Sequence, residues 1–193
     1  MILVTWFVAV FYLKYRPASI DDLDLSDVSE KLTKILLSKE VPQAFLFAGP
    51  KGSGKTSAAR VLARALNCLE RKGVEPCNQC GNCKEILNGS SIDIIEIDAA
   101  SNRGIDDIRA LKDKAYFLPG KLKNKVFVID EVHMLTKEAF NALLKIIEEP
   151  PSNTYFVLCT TDAQKIPETV VSRLVRVDFR RGNRAELKRS LDK

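Results

Sequence analysis

An eight-residue run, Gly49-Pro50-Lys51-Gly52-Ser53-Gly54-Lys55-Thr56, satisfies the pattern G-x-x-x-x-G-K-[ST]. Glycines at that spacing let the backbone curl until successive N–H groups point inward at an anion. A helix starting at the end of the run adds its partial positive charge. A polyphosphate suits that cradle. Lys55 can reach the β- and γ-phosphates, and the Thr56 hydroxyl can ligate Mg²⁺. Phosphate chemistry of this kind needs an acidic partner on a neighbouring strand tip. Val126-Phe127-Val128-Ile129-Asp130-Glu131 supplies it, with four apolar residues and then two carboxylates. Asp130 would hold the metal, directly or through water, and Glu131 would polarise a water attacking the γ-phosphate. Transfer to a small acceptor would not need that glutamate, so hydrolysis is favoured over transfer. The single histidine, His133, follows the acidic pair and reads as an orienting or merely local residue.

A second cluster is built from sulfur. Cys68, Cys77, Cys80 and Cys83 follow the spacing C-x8-C-x2-C-x2-C. Four thiolates in reach of one point suit tetrahedral Zn²⁺, with Zn–S near ~2.3 Å. Two disulfides are the competing use. A reducing compartment and the strain of bridging residues three apart count against them. Four sulfurs leave no open coordination position, so the zinc would be structural. The fifth cysteine, Cys159, lies in an apolar run and reads as a small core residue.

These residues need a scaffold, and the hydrophobic pattern describes one. Ala44 to Ala48, Ile92 to Ile97, Val126 to Ile129, Tyr155 to Cys159 and Val175 to Phe179 read as strands. Ala58, Val61, Leu62 and Ala65 recur at helical spacing, as do Phe140, Leu143, Leu144 and Ile147. Thr136 is a plausible N-cap for the second of these helices, and Pro150-Pro151 stops it. Ile105, Ile108 and Ala115 mark a weaker helix, with Ser101 or Asn102 ahead of it as a cap. Strands that are nearly all apolar are buried on both faces. Alternation with helices therefore predicts an α/β fold, a five-stranded parallel sheet with helices on both faces.

Composition agrees with a globular chain. Of the 193 residues 46% are apolar and 28% charged, and the net charge is +5. That charge permits a nucleic-acid partner without arguing for one. Met1 to Leu13 is uncharged but too short to cross a membrane, which takes about 20 apolar residues. It also lacks the marks of a signal peptide. Residues 1–10 are expected to be an extra apolar segment ahead of the domain, and no membrane partner is expected.

Several separated strings agree with one family. They are Phe11-Tyr12-Leu13-Lys14-Tyr15-Arg16-Pro17, the phosphate loop, the cysteine module, Ile97-Asp98-Ala99-Ala100-Ser101-Asn102-Arg103-Gly104 and Asp130-Glu131-Val132-His133-Met134-Leu135. Asn141-Ala142-Leu143-Leu144-Lys145, Thr160-Thr161-Asp162-Ala163-Gln164-Lys165-Ile166-Pro167 and Ser172-Arg173 follow in order. From about residue 11 onward the chain closely resembles the gamma/tau subunits of bacterial DNA polymerase III, the ATPases of the clamp loader.

The resemblance implies an AAA+ P-loop ATPase, Mg²⁺-dependent and cytoplasmic, that loads a sliding clamp onto primer-template DNA. It implies other clamp-loader subunits and the polymerase core as partners, within the DNA-directed DNA polymerase holoenzyme. A non-motor subunit like delta-prime, which has a degraded phosphate loop, and another AAA+ DNA-associated ATPase are the alternatives. By resemblance Tyr15, Arg16 and Pro17 lie against the nucleotide base. Thr161 resembles the sensor of the γ-phosphate, and Arg173 the arginine finger acting on ATP held by an adjacent subunit. A guanidinium crossing an interface makes hydrolysis depend on assembly.

Two departures accompany the match. Leu25-Ser26 stands where the family has Gly-Gln, so no nucleotide role is assigned there. Leu174 replaces the cysteine after the arginine. The expected organisation is an ATPase domain over 11–180, a zinc module at 68–83, and the start of a truncated helical lid over 181–193.

Overall fold

The computed structural model describes residues 16–191. The string from Phe11 to Tyr15 and the apolar segment before it lie outside the described residues.

Five strands make one parallel sheet. They are β1 (Ala44–Ala48), β2 (Ile94–Asp98), β3 (Lys125–Asp130), β4 (Thr154–Thr160) and β5 (Val175–Asp178). Their spatial order is β2-β3-β4-β1-β5. The helices are α1 (Ser26–Leu36), α2 (Lys55–Asn67), α3 (Gly81–Leu87), α4 (Ile105–Tyr116), α5 (Lys137–Glu148), α6 (Glu168–Val171) and α7 (Arg184–Leu191).

The side chains of β1 divide between two cores because strand residues alternate faces. Phe45 and Phe47 join Val28, Leu32 and Leu36 of α1 and Ala58, Val61, Leu62 and Ala65 of α2 on one side. Leu46 and Ala48 join Ile108 and Leu111 of α4 and Phe140, Leu143 and Ile147 of α5 on the other. Phe127 of β3 and Phe156 of β4 stack there with ring centroids 5.4 Å apart. At about 25 cal/mol per Å² a fully buried Phe or Leu contributes roughly 2 kcal/mol, and these two layers hold the sheet rigid.

The architecture is the expected one, with local differences. β2 begins at Ile94 rather than Ile92, because Ile92 is 74% exposed and Asp93 turns inward. The Asp93 carboxylate accepts the N–H groups of Gly120, Lys121 and Leu122 at 2.8, 2.8 and 2.9 Å, closing the loop before β3. The cap of α4 is Gly104, not Ser101 or Asn102. The Gly104 N–H donates to the Asp107 carboxylate at 3.0 Å, so the reach comes from inside the helix. Thr136 caps α5 as expected, its hydroxyl accepting the Ala139 N–H at 3.2 Å. Among the described residues no helix is long and apolar enough to cross a membrane.

Candidate functional site: a phosphate loop and its acidic strand tip

The phosphate loop springs from β1 at Gly49 and ends at Gly54, which precedes α2. Two contacts hold its root. The Gly49 N–H donates to the Thr160 carbonyl at 3.1 Å, and the Phe179 N–H donates to the Ala48 carbonyl at 2.6 Å. This brings the chain at Phe179 so close that a Cβ on Gly49 would stand 2.1 Å from the Phe179 carbonyl oxygen. Gly54 has φ +91°, a left-handed conformation that glycine takes without steric cost. Lys55 is 6% exposed, and its ammonium donates to the carbonyls of Gly49 and Pro50, each at 2.9 Å. The cation is thus held against the loop it would serve.

One strand in from the sheet edge, β3 delivers the acidic pair. The Thr56 hydroxyl donates to Asp130 Oδ2 at 2.9 Å, joining the loop to the strand tip. Asp130 Oδ1 accepts the Glu131 N–H, also at 2.9 Å. Glu131 has φ +47° and ψ +42°, a left-handed backbone that a non-glycine residue adopts at a cost of ~1 kcal/mol or more. Its carboxylate is gripped from the neighbouring strand. Glu131 Oε2 accepts the Thr161 hydroxyl at 2.8 Å and the Thr161 N–H at 3.3 Å. His133 Nδ1 lies 3.3 Å from the same oxygen and 3.0 Å from the Thr160 hydroxyl, which places the histidine beside the acidic tip. Thr56, Asp130, Glu131 and Thr161, assigned separately in the sequence, form one connected set. Cys159 beneath them is fully buried, and burial pushes its thiol pKa up.

A cavity of about 450 Å³ opens beside the loop. Pro50, Lys51, Gly52, Ser53 and Gly54 line one part of it, and Arg16 and Pro17 another. Leu23, Asp24, Leu25 and Val28 complete that second wall, while Phe179 to Gly182 and Leu187 close the third. Leu25, given no nucleotide role in the sequence, is therefore a lining residue. No local signal marked it, because the other walls of the cavity come from about 25 and some 150 positions further along the chain. The third wall is tied down by Arg180, whose guanidinium donates twice to Glu186 at 2.7 Å and once to Asp27 of α1 at 3.2 Å. The Arg180 contact, helped by the Asn183 N–H, holds the Glu186 carboxyl down at about 2. Tyr15 lies outside the described residues.

The four cysteines converge. The sulfurs of Cys68, Cys77, Cys80 and Cys83 all lie within 4.8 Å of one another. A tetrahedron with Zn–S bonds of ~2.3 Å has edges near ~3.8 Å, so the sulfurs fit zinc after small adjustments. All four are free thiols. The Cys77 N–H points at Cys68 Sγ (3.2 Å) and the Cys80 N–H at Cys77 Sγ (3.3 Å), donors that support thiolate charge. Burial pushes the Cys80 thiol up, yet hydrogen bonds from the Leu69 and Cys83 backbone and from neighbouring thiols draw it down to about 6. Burial raises Cys83 and Cys68 instead.

Arg173 follows α6 and is not among the residues lining the cavity. It pairs with Glu148 at 2.6 Å and donates to the Thr169 carbonyl at 2.6 Å.

Sheet order, phosphate loop and acidic strand tip together define an AAA+ P-loop NTPase fold. Among solved structures it is similar to the RuvB Holliday junction branch migration motor of Thermotoga maritima. That match has TM-score 0.65 and 22% identity, over 92% of this chain and 53% of that one. It is also similar to a DNA polymerase III gamma subunit-related protein of Thermotoga maritima, with TM-score 0.59 and 27% identity over 77% of this chain and 44% of that one. The family model described as DNA polymerase III, delta subunit, matches residues 25–183, and the chain belongs to that family. Curated relatives carry the gamma/tau names. The chain is 50% identical over 171 residues to DNA polymerase III subunit tau of Bacillus subtilis, and 44% identical over 172 residues to subunit gamma/tau of Mycobacterium tuberculosis. Each match covers 88% of this chain but 30% of the relative's length.

Proposed function

We propose that this chain binds ATP and hydrolyses it as the motor subunit of a DNA polymerase III clamp loader. The join between phosphate loop and strand tip carries the reading: Thr56 hydrogen-bonded to Asp130, with Glu131 adjacent and gripped by Thr161. In this reading Lys55 turns from the Gly49 and Pro50 carbonyls to the β- and γ-phosphates. Glu131 accepts the proton of the attacking water, and Thr161 exchanges its bond to Glu131 for one to the γ-phosphate. Thr56 and Asp130 would hold Mg²⁺, which supplies charge neutralisation on the phosphates. Cys68, Cys77, Cys80 and Cys83 would hold a structural Zn²⁺.

The gamma/tau relatives support the wider role. The working unit is a cytoplasmic assembly with other clamp-loader subunits, the polymerase core, a sliding clamp and primer-template DNA. Residues 11–180 form its ATPase domain, 181–193 open the lid, and Arg173 acts on ATP bound by a neighbouring subunit. The family description as delta subunit favours a second reading, a non-motor member of the same assembly. Intact Lys55, Thr56, Asp130 and Glu131 support the motor.

Calorimetry and a phosphate-release assay test this. Lys55→Ala should keep the fold and lose ATP binding. Glu131→Gln should keep binding and lose hydrolysis, because an amide takes no proton. Equal ATP affinity in wild type and Lys55→Ala would refute the phosphate site. Normal binding without hydrolysis in any assembled state would favour the non-motor reading.

A further inference from the structure

Between Cys68 and Cys77 the chain folds into a small hairpin, Lys72 and Glu75 exchanging backbone hydrogen bonds at 3.2 and 3.0 Å. The Glu75 side chain leaves this hairpin and grips the N-terminal part of the protein. Its Oε2 accepts the Ile20 N–H at 2.8 Å, and its Oε1 accepts the Asp21 N–H at 3.2 Å. A second link runs through Arg64, near the end of α2 and 2% exposed. Arg64 Nη1 donates to the Asn78 side chain, between Cys77 and Cys80, at 3.0 Å, and Nη2 donates to the Pro17 carbonyl at 2.9 Å. Its Nε is buried without a hydrogen-bond partner. Burying a guanidinium this deeply is costly unless hydrogen bonds offset it, which makes the bonds to Asn78 and Pro17 the contacts that hold it there.

Both links end on the stretch that forms one wall of the cavity. Pro17 lines the cavity itself, and Ile20 is fully buried just before lining residues Leu23, Asp24 and Leu25. The Leu23 N–H donates to the Ile20 carbonyl at 3.1 Å, so the turn gripped by Glu75 leads directly into the lining.

We propose that Glu75 and Arg64 are positioning residues for the nucleoside side of the ATP pocket, through which the cysteine module sets nucleotide affinity. The phosphate loop has its own anchors at Thr160 and Phe179, so the two halves of the ligand answer to different parts of the fold. This inference rests on the reading of the cavity as an ATP site.

The whole chain is titrated by calorimetry, in Mg²⁺, with ATP and separately with inorganic tripolyphosphate, which lacks the nucleoside. Hydrogen exchange at residues 16–25 and zinc content are followed in parallel. Glu75→Ala should weaken ATP about tenfold, the effect of losing a charge-assisted hydrogen bond, and leave tripolyphosphate unchanged. Exchange at Ile20 and Asp21 should rise while the metal stays bound. Glu75→Gln, which keeps one acceptor, should fall between, and Arg64→Lys should behave like Glu75→Ala. Lys55→Ala should weaken both ligands. If Glu75→Ala binds ATP like wild type while Lys55→Ala does not, the positioning role is overturned and the ATP site stands. Equal losses for both ligands in Glu75→Ala would also overturn it. If Lys55→Ala changes neither ligand, the proposal falls with the ATP reading beneath it.

Discussion

Replacing Gly49 by alanine tests how the phosphate loop is rooted. The new Cβ would lie 2.1 Å from the Phe179 carbonyl oxygen and 2.7 Å from Phe179 Cβ. Non-bonded carbon contacts settle at roughly 3.5–4.0 Å, so the main chain at Phe179 must retreat by about 1 Å. Neither group is the free end of a flexible side chain. Overpacking of this kind costs ~1–3 kcal/mol. The retreat also strains the bond from the Phe179 N–H to the Ala48 carbonyl, worth ~1 kcal/mol. Lost freedom of the unfolded glycine returns ~0.5 kcal/mol. The net loss is about 2–3 kcal/mol, which lowers Tm by roughly 5–10 °C in a domain of this size. Gly81→Ala is the control, since its Cβ would meet nothing within 4 Å, and its Tm should hold or rise slightly. Thermal unfolding reads the stability, and ATP titration reads the displaced loop. A Gly49→Ala protein melting within about 2 °C of wild type, with unchanged affinity, would refute the steric argument.

Three further outcomes are expected. Elemental analysis of protein kept in reducing buffer should find one zinc per chain, lost in Cys83→Ser; mass spectrometry showing disulfides instead would contradict the tetrahedral site. Burial pushes the Asp93 carboxyl up, but three backbone N–H groups and Lys125 pull it below the ordinary range, so it stabilises the fold above its unfolded pKa of about 3.9. That contribution is lost as pH falls towards the lowered folded value, so the ~2 kcal/mol cost of Asp93→Asn in urea unfolding should be full at pH 7 and shrink near pH 3; a gap independent of pH would count against it. Arg173→Ala should cut turnover by ~10³-fold where several ATPase subunits assemble and leave ATP affinity of the isolated chain unchanged; an equal loss in a monomer would place the arginine at its own site.

Features set by neighbouring residues were legible in the sequence. The apolar runs of β1, β3 and β4 need burial on both faces, and the phosphate loop encodes its own turn. Thr136 announced α5 because a cap is a local bond. Where the deciding partner is distant, the pattern said less. α1 carries Val28, Leu32 and Leu36 on one face, but no side-chain cap bond marks its start. α3 has seven residues, with Cys80 as its N-cap and Cys83 in its first turn, so tertiary contacts rather than propensity account for it. Ile92 looked like a strand residue, yet the inward turn of Asp93 places it in solvent. Glu75 and Arg64 resemble any surface charge in the sequence, because the amide and carbonyl they hold lie about fifty residues earlier.

The position of β1 also bears on how the protein is made. Ala44 to Ala48 pairs with β4 and β5, never with a strand close to it in sequence. Its partner residues begin at Phe156, more than a hundred residues later. At a synthesis rate of ~5–20 residues per second the ribosome needs roughly 5–20 s to supply them. For that interval Ala-Phe-Leu-Phe-Ala is an emerged, uncharged strand with no native neighbour to pair with. β2 and β3 can pair meanwhile, but they build the far edge of the sheet. The nascent chain therefore passes through a stage in which the strand that will carry the phosphate loop stands unpaired, and its shielding during translation matters between the synthesis of residues 48 and 156.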